Sequence, residues 1–388
     1  MGPETDAGLG LYIHWPFCQS KCPYCDFNSH VAERIDQERW LRAYLAEIDR
    51  VGRNTAGLRL QSVFFGGGTP SLMDPDAVCA ILDRVRATWV VANDWEVTLE
   101  ANPGSVEAGR FRAFRAAGVN RLSMGVQALN DADLRRLGRL HSAADAIAAF
   151  DIARACYDRV SFDLIYARQD QAPEDWAQEL TRALDMAVDH LSLYQLTIED
   201  GTAFGDRHAR GGLKGLPDED RSAALYEITQ DLCAAAGLPA YEVSNHARDG
   251  AQSQHNLNCW RGGDYAGVGP GAHGRLTLNG RRWATEGMKH PWAWLDAVEK
   301  CGTGELPRDE IAPIERAQEY ILMSLRLNEG LDPVRLEAIS GLSLPPAALM
   351  DLRALGLITA DHDRVRTTPQ GRMVLNAVIR RLTEELAP

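Results

Sequence analysis

The sequence predicts an α/β fold: an incomplete (β/α)6-type barrel followed by a smaller winged-helix-like domain at the C-terminus. Three observations carry this expectation. Strand-like apolar runs alternate with helical patterns from Leu9 to about residue 245. That alternation fades over 246–310, a stretch rich in Gly, Trp and Asn. From about 311, three helical segments, two short strands and a last helix follow. The expected divisions are therefore 1–245 for the barrel, 246–310 for a connecting segment and 311–388 for the C-terminal domain.

The first candidate strand is 11–15, and the next are 62–65, 96–100, 121–126, 160–165 and 190–196, with a weaker one at 240–243. Between the first two, Asp36 precedes a helix whose Trp40, Leu41, Tyr44, Leu45 and Ile48 fall on one stripe. Asp74 and Pro75 read as an N-cap followed by proline at the first helical position. Ser105 opens another helix, which Gly118 ends. Repeated strand–helix units imply parallel strands joined by right-handed crossovers. Six such units fit an incomplete barrel, with a doubly wound sheet as the alternative. Either fold puts its working residues on loops beyond the C-terminal ends of the strands.

The C-terminal unit reads as helices at 315–327, 333–339 and 345–355, strands at 357–359 and 364–367, and a helix at 369–386. Helix–helix–helix–hairpin is a winged-helix order, often used on nucleic acid. From Glu310 onward, however, there are 9 Arg against 11 Asp and Glu. A packing domain over the barrel is the better reading.

A formal net charge of −13 argues against a nucleic-acid partner, which would want a basic face. Every apolar run is interrupted by Arg, Asp or Glu, so no membrane-spanning helix is expected. The start, Met1-Gly-Pro-Glu-Thr-Asp-Ala, lacks a basic n-region with an apolar run, and a cytoplasmic location is expected. Eight cysteines in such a setting read as reduced thiols. Cys79, Cys156, Cys233, Cys259 and Cys301 stand singly and read as small buried apolar residues.

The other three form Cys18-x3-Cys22-x2-Cys25 directly after the first strand. Three thiolates can hold three irons of a [4Fe–4S] cubane and leave the fourth open to an external ligand, such as the amine and carboxylate of an amino acid. Zinc is the alternative, with His14 or His30 as a fourth ligand.

Further motifs lie at later strand ends. Gly66, Gly67 and Gly68 precede Thr69 and Pro70. Glycines there permit positive φ and let backbone N–H and C=O groups approach a ligand closely. No Lys-Ser/Thr follows, so a phosphate-binding P-loop is not indicated. Glu100 ends the third strand, where a carboxylate can accept from two ribose hydroxyls; a solvated acid on a capped loop is the alternative. Gln127 ends the fourth strand, Arg139 follows it and Asp163 ends the fifth. The plain reading of the last two is a buried Arg–Asp pair. Tyr12 and Tyr24 flank the cysteines or belong to the core. His255-Asn256-Leu257-Asn258-Cys259-Trp260 offers an imidazole and a thiol, both known haem ligands, although a lone His is more often structural.

Cys-x3-Cys-x2-Cys with an aromatic before the last cysteine resembles the radical S-adenosylmethionine (SAM) superfamily. The string Tyr12-x-His14-x-Pro16-Phe17-Cys18 is similar to its branch containing oxygen-independent coproporphyrinogen III oxidase and the heme chaperones of the HemW type. The resemblance runs over nearly the whole chain. It implies a radical SAM barrel with a [4Fe–4S] cluster on Cys18, Cys22 and Cys25. SAM contacts are implied from Tyr12, Tyr24, Gly67, Gly68, Thr69, Glu100, Gln127, Arg139 and Asp163, and heme handling from His255.

Two departures stand out. Phe27 occupies the position of a further cysteine in the oxidase. The family string Asp-Leu-Ile-Tyr-Gly-Leu-Pro-Gly-Gln is Asp163-Leu-Ile-Tyr-Ala167-Arg168-Gln169-Asp170-Gln171 here. The expected function is that of a heme chaperone, with no catalytic residue, that delivers heme to membrane respiratory proteins. The alternative is oxidative decarboxylation of coproporphyrinogen III. Dimerisation is left open, and an RNA-modifying role fits poorly with the acidic charge.

Overall fold

The computed structural model describes residues 8–104, 108–361, 363–384 and 386. The chain opens with β1 (Leu9–Trp15), apolar and covered on both faces as a central parallel strand must be. β2 (Phe17–Cys18) and β3 (His30–Val31) form a short parallel ladder that brackets the cysteine loop. Then come β4 (Arg59–Gly67), β5 (Val90–Ala101), β6 (Arg121–Gln127), β7 (Arg159–Tyr166) and β8 (His190–Gln195). From β1 through β8 these pair in sequence order, each parallel to the last. β9 (Asn245–Ala247) runs antiparallel to β8 at one edge. On the other side of β1 lie β10 (Tyr265–Val268), β11 (His273–Leu278), β12 (Arg281–Glu286) and β13 (Asp309–Glu310). The eleven-stranded sheet has β9 and β13 at opposite ends and does not close. The expected α/β class and incomplete barrel are what the chain adopts.

Weak periodicity over 246–310 conceals these last four strands. β10 pairs parallel to β1, and β11 to β13 continue antiparallel. The hairpin packs backbone on backbone: a Cβ on Gly267 would lie 2.3 Å from the carbonyl oxygen of His273. Glycine demanded by close approach erases the alternating pattern that marks a strand. The strand expected at 240–243 is only an isolated bridge from Ala240 to His246, and the pairing segment is β9.

The helix Gln37–Asn54 positions the cysteine loop. Asp36 caps it by accepting from the Arg39 N–H at 3.0 Å. Trp40, Tyr44 and Ile48 are buried, and Trp40 stacks on Trp294 with ring centres 5.6 Å apart. Each such side chain contributes about 1.5–3 kcal/mol by leaving water. The Tyr44 hydroxyl donates to the His14 carbonyl at 2.6 Å, tying the helix to the end of β1. Asp74 occupies the expected cap position, but its carboxylate takes Arg110 at 3.3 Å instead of a helix N–H. Gly118 ends its helix in the left-handed region as expected, whereas Ser105 lies outside the described residues.

The C-terminal part has helices Pro313–Ser324, Pro333–Ser340 and Pro346–Ala354, then a hairpin of β14 (Ile358–Ala360) and β15 (Val365–Thr367). Ile321, Leu325, Leu336, Leu352 and Val378 belong to a core of its own. The final helix is not continuous as expected. Val374, at φ −121° and ψ 32°, separates Pro369–Met373 from Leu375–Thr383. Of the five single cysteines, Cys233 is buried, Cys79, Cys156 and Cys259 are half-buried, and Cys301 is exposed. The expectation of burial holds for Cys233 alone; Cys301, for instance, closes its helix on the outer face.

Candidate functional site

Beyond the C-terminal end of β1, the cysteine loop folds so that Cys18, Cys22 and Cys25 line one wall of a single cavity. A turn closed by Cys25 N–H to Cys22 C=O at 3.2 Å sets the last two sulfurs. All three are half-buried, and burial is the main cause pushing the Cys18 and Cys25 thiols up. Their negative forms therefore want a cation or hydrogen-bond donors nearby.

The donors are there. Arg139 Nη1 donates to Cys22 Sγ at 3.4 Å, and Arg139 Nη2 to Asn102 Oδ1 at 2.6 Å and Gly125 C=O at 2.9 Å. Asn102 Nδ2 donates to Thr69 Oγ1 at 3.2 Å, and Thr69 Oγ1 to Cys18 Sγ at 3.4 Å. Two sulfurs thus join through one unbroken relay of side chains: Thr69 and Asn102, just after β4 and β5, and Arg139, just after the helix Asp131–Arg136. Arg139 Nε is buried without a partner and belongs to the same cavity lining. A half-buried thiol triad with donors aimed at its sulfurs fits a cubane, whose potential is set by such hydrogen bonds.

Zinc fits less well. His14 has Nδ1 on the Tyr12 hydroxyl at 3.0 Å and Nε2 on the Asn28 carbonyl at 2.9 Å. His30 Nε2 lies 3.1 Å from Asn28 Oδ1. Among the described residues no three His, Cys, Asp or Glu side chains converge as a single ion requires.

The glycine turn works differently from the expectation of free N–H groups. Gly67 N–H donates to Glu100 Oε2 at 3.3 Å, Gly68 N–H to the Trp15 carbonyl at 2.7 Å and Thr69 N–H to the Phe17 carbonyl at 2.8 Å. What these glycines provide is closeness. A Cβ on Gly68 would lie 2.7 Å from the Phe17 carbonyl oxygen, and Gly67 has φ +110°. A ligand at this wall meets the side chains of Thr69 and Glu100.

Glu100 and Asp163 both line this cavity, near enough for their charges to interact. Burial, then the neighbouring Asp163 charge, pushes the Glu100 carboxyl up to about 8. Burial lifts Asp163 to about 6, with Ser192, Arg121 and Arg139 acting against it. Asp163 sits three residues before the end of β7 rather than at it. Arg139 spends its hydrogen bonds on Asn102, Gly125 and Cys22, so the expected direct Arg–Asp pair is not made. Gln127 ends β6 with φ +72° and lines the same cavity, as does Tyr24, whose ring meets Phe204.

Tyr12 and His255 lie elsewhere. They line a second cavity that shares Phe27, Gly67 and Glu100 with the first. The helix Gln254–Trp260 starts at Ser253, which accepts from the Asn256 N–H, and Glu96 Oε1 takes both Ser253 Oγ and the His255 N–H. His255 is 6% exposed, with Nδ1 on Ser62 Oγ at 3.0 Å and its ring 5.3 Å from that of Phe64. Burial lowers its pKa to about 4, so the ring is neutral, as a metal ligand must be. Burial pushes the Cys259 thiol up to about 12, which keeps it protonated at neutral pH.

The altered loop keeps a glycine-like backbone without glycine. Ala167 has φ +59° and Asp170 φ +58°. Arg168 turns inward, with Nη1 on the Ile165 carbonyl at 2.7 Å and Nη2 on Asp133 at 2.9 Å and on Glu179. Glu179 in turn accepts from the Leu129 N–H at 2.6 Å. Asn102 is a site residue not singled out from the sequence. Its spacing of two from Glu100 is the signal that puts both on one side of the strand end.

Residues 12–182 match the family model of the Radical SAM superfamily, and 311–374 match that of the HemN C-terminal domain. Fold and site together define a radical SAM protein. The chain is 38% identical over 376 residues to "Heme chaperone HemW" of Escherichia coli K12, covering 96% of this chain and 97% of the relative. It is also 38% identical over 400 residues to mouse "Radical S-adenosyl methionine domain-containing protein 1, mitochondrial", covering 99% and 89%. The solved structure of E. coli coproporphyrinogen III oxidase (HemN) superposes with a TM-score of 0.81 over 97% of this chain and 90% of that one. At 22% identity that likeness concerns the fold alone. The chain belongs to the HemW family of radical SAM proteins. Among the described residues no helix is long and apolar enough to cross a membrane.

Proposed function

We propose that this chain is a cytoplasmic heme chaperone that holds a [4Fe–4S] cluster on Cys18, Cys22 and Cys25, binds SAM beside it, and binds heme through His255 for delivery to membrane respiratory proteins. The observation that supports it most is the common wall of two cavities, one carrying the cysteines and the other His255. The cluster, when bound, supplies one-electron chemistry toward SAM. The chain's own residues bind and orient. Arg139 and Thr69 donate to the sulfurs, Glu100 is set to accept from ribose hydroxyls, and Gln127 and Asp163 offer polar groups farther along the cavity. Tyr24 shields the cysteines, and Tyr12 buttresses His14 beside the shared wall.

This reading assigns no catalytic residue. Phe27, where the oxidase has cysteine, supports binding over decarboxylation. The test adds hemin and coproporphyrinogen III separately to anaerobically reconstituted protein. Hemin should give a Soret band, and His255→Ala should weaken binding about tenfold or more, roughly 1.4 kcal/mol, with iron and sulfide content unchanged. Decarboxylated product on chromatography, without hemin binding, would replace the chaperone with the oxidase.

A further inference from the structure

We infer that heme occupies the second cavity with His273, which lines it together with the buried His255, as a further imidazole, and with the exposed Lys21 and Lys289 as partners for the porphyrin carboxylates. This rests on the heme reading above and assigns residues to it. The cavity, about 700 Å³, lies within the size range of ligand and cofactor sites. Its wall includes Phe27, which is 60% exposed. An aromatic face left to water at a cavity wall gains most from a flat apolar ligand.

Three imidazoles line this space, and their bonding separates them. His14 has both ring nitrogens engaged, by Tyr12 and Asn28. His255 has Nδ1 on Ser62, which fixes the ring and leaves Nε2 as its ligating nitrogen. His273, at the start of β11, has a side chain 57% exposed and only a loose approach of Nε2 to Glu286 Oε1 at 3.8 Å, beyond hydrogen-bond length. An imidazole so weakly held can turn to a metal at little cost. Lys289 Nζ lies 3.5 Å from the same Glu286 oxygen, with a side chain 73% exposed. The half-buried Glu286 carboxylate holds both His273 and Lys289 only loosely, and the largely exposed Lys289 ammonium stays free to take a second anionic group at this rim. Of the acids on the wall, burial and the neighbouring Asp163 charge favour the protonated form of Glu100, so the carboxylates that oppose the two lysines are Asp26 and, beside Lys289, Glu286.

The test titrates hemin and hemin dimethyl ester, which lacks free carboxylates, into full-length reconstituted protein. Wild type should give a low-spin ferric EPR signal. His273→Ala should convert it to high spin and weaken hemin several-fold, and His273→Gln should do the same without removing bulk. Lys21→Glu combined with Lys289→Glu should weaken hemin about tenfold while leaving the dimethyl ester unaffected. Iron content and the SAM-perturbed cluster signal serve as the fold control for each variant. A spectrum and affinity unchanged in His273→Ala but lost in His255→Ala would overturn this inference and leave the heme reading standing. No hemin binding by the wild type would overturn both.

Discussion

Arg139 donates to the sulfur of Cys22 across 3.4 Å, though the two residues are 117 positions apart. Under the proposed cluster assignment, the contact puts Arg139 in the cluster's immediate surroundings. A charge-assisted hydrogen bond is worth about 1.5–3 kcal/mol and stabilises the more negative, reduced cluster. Arg139→Leu should therefore lower the cluster's reduction potential by about 60 mV or more, since 59 mV corresponds to a tenfold change for one electron. Redox titration followed by EPR reads this directly; an unchanged or higher potential would contradict the contact.

The cysteine triad is the simplest case. Protein purified without oxygen should be brown with about four irons and four sulfides per chain. Cys18→Ala, Cys22→Ala and Cys25→Ala should each abolish the colour, whereas Cys301→Ser on the exposed helix end should not. Colourless protein with stoichiometric zinc would sink the cubane assignment.

Glu100 sets a pH dependence in the cluster-free, ligand-free protein. Its folded-state pKa of about 8 stands above the ordinary 4.5, and Asp163 at about 6 stands above 3.8. Between those values the folded chain keeps a proton that the unfolded chain has released. Stability therefore falls as pH rises through the window from about 5 to 8. Glu100→Gln keeps the shape without the charge, and should flatten the slope and stabilise the apo-protein at pH 8 by about 1 kcal/mol or more. Thermal unfolding from pH 5 to 8 checks it; a melting temperature that climbs over that range would be the wrong sign.

Arg168 anchors the altered loop through Asp133 and Glu179, both nearly buried. Arg168→Leu, which restores the family's residue, leaves Glu179 without its cation and Asp133 with only Arg136 at 3.8 Å, and should cost about 3 kcal/mol. Ala167→Gly and Asp170→Gly relieve left-handed backbone and should each stabilise by about 1 kcal/mol. Urea denaturation separates the two signs. A neutral Arg168→Leu would show that the loop holds its shape without the ion pairs.

Much of the core was legible because its signals are local. Alternating strand and helix periods marked β1 and β4 to β8, and the spacing of Cys18, Cys22 and Cys25 marked the cluster loop. Asp36, Gly118 and the Trp40 stripe were readable for the same reason: a cap, a left-handed terminus and an amphipathic face each occupy a few consecutive residues. The β10–β13 strands were not, because backbone closeness at Gly267 demands glycine where a strand would otherwise show its period. The glycine turn was legible, but only the assembled neighbours β1, β2 and β5 show that its N–H groups are already used.

Residue type and spacing along the chain were enough for the family, the parallel sheet and the clustering of Cys18, Cys22 and Cys25. They could not reveal the relay from Cys22 through Arg139, Asn102 and Thr69 to Cys18, whose members come from four separate stretches. Nor could they bring His255 against Ser62 and Phe64 on β4, or join its cavity to the cysteine cavity through Phe27, Gly67 and Glu100. Periodicity reports which face of an element is buried. Which side chains then meet across a cavity depends on strand order and register, and those emerge only when the sheet is assembled.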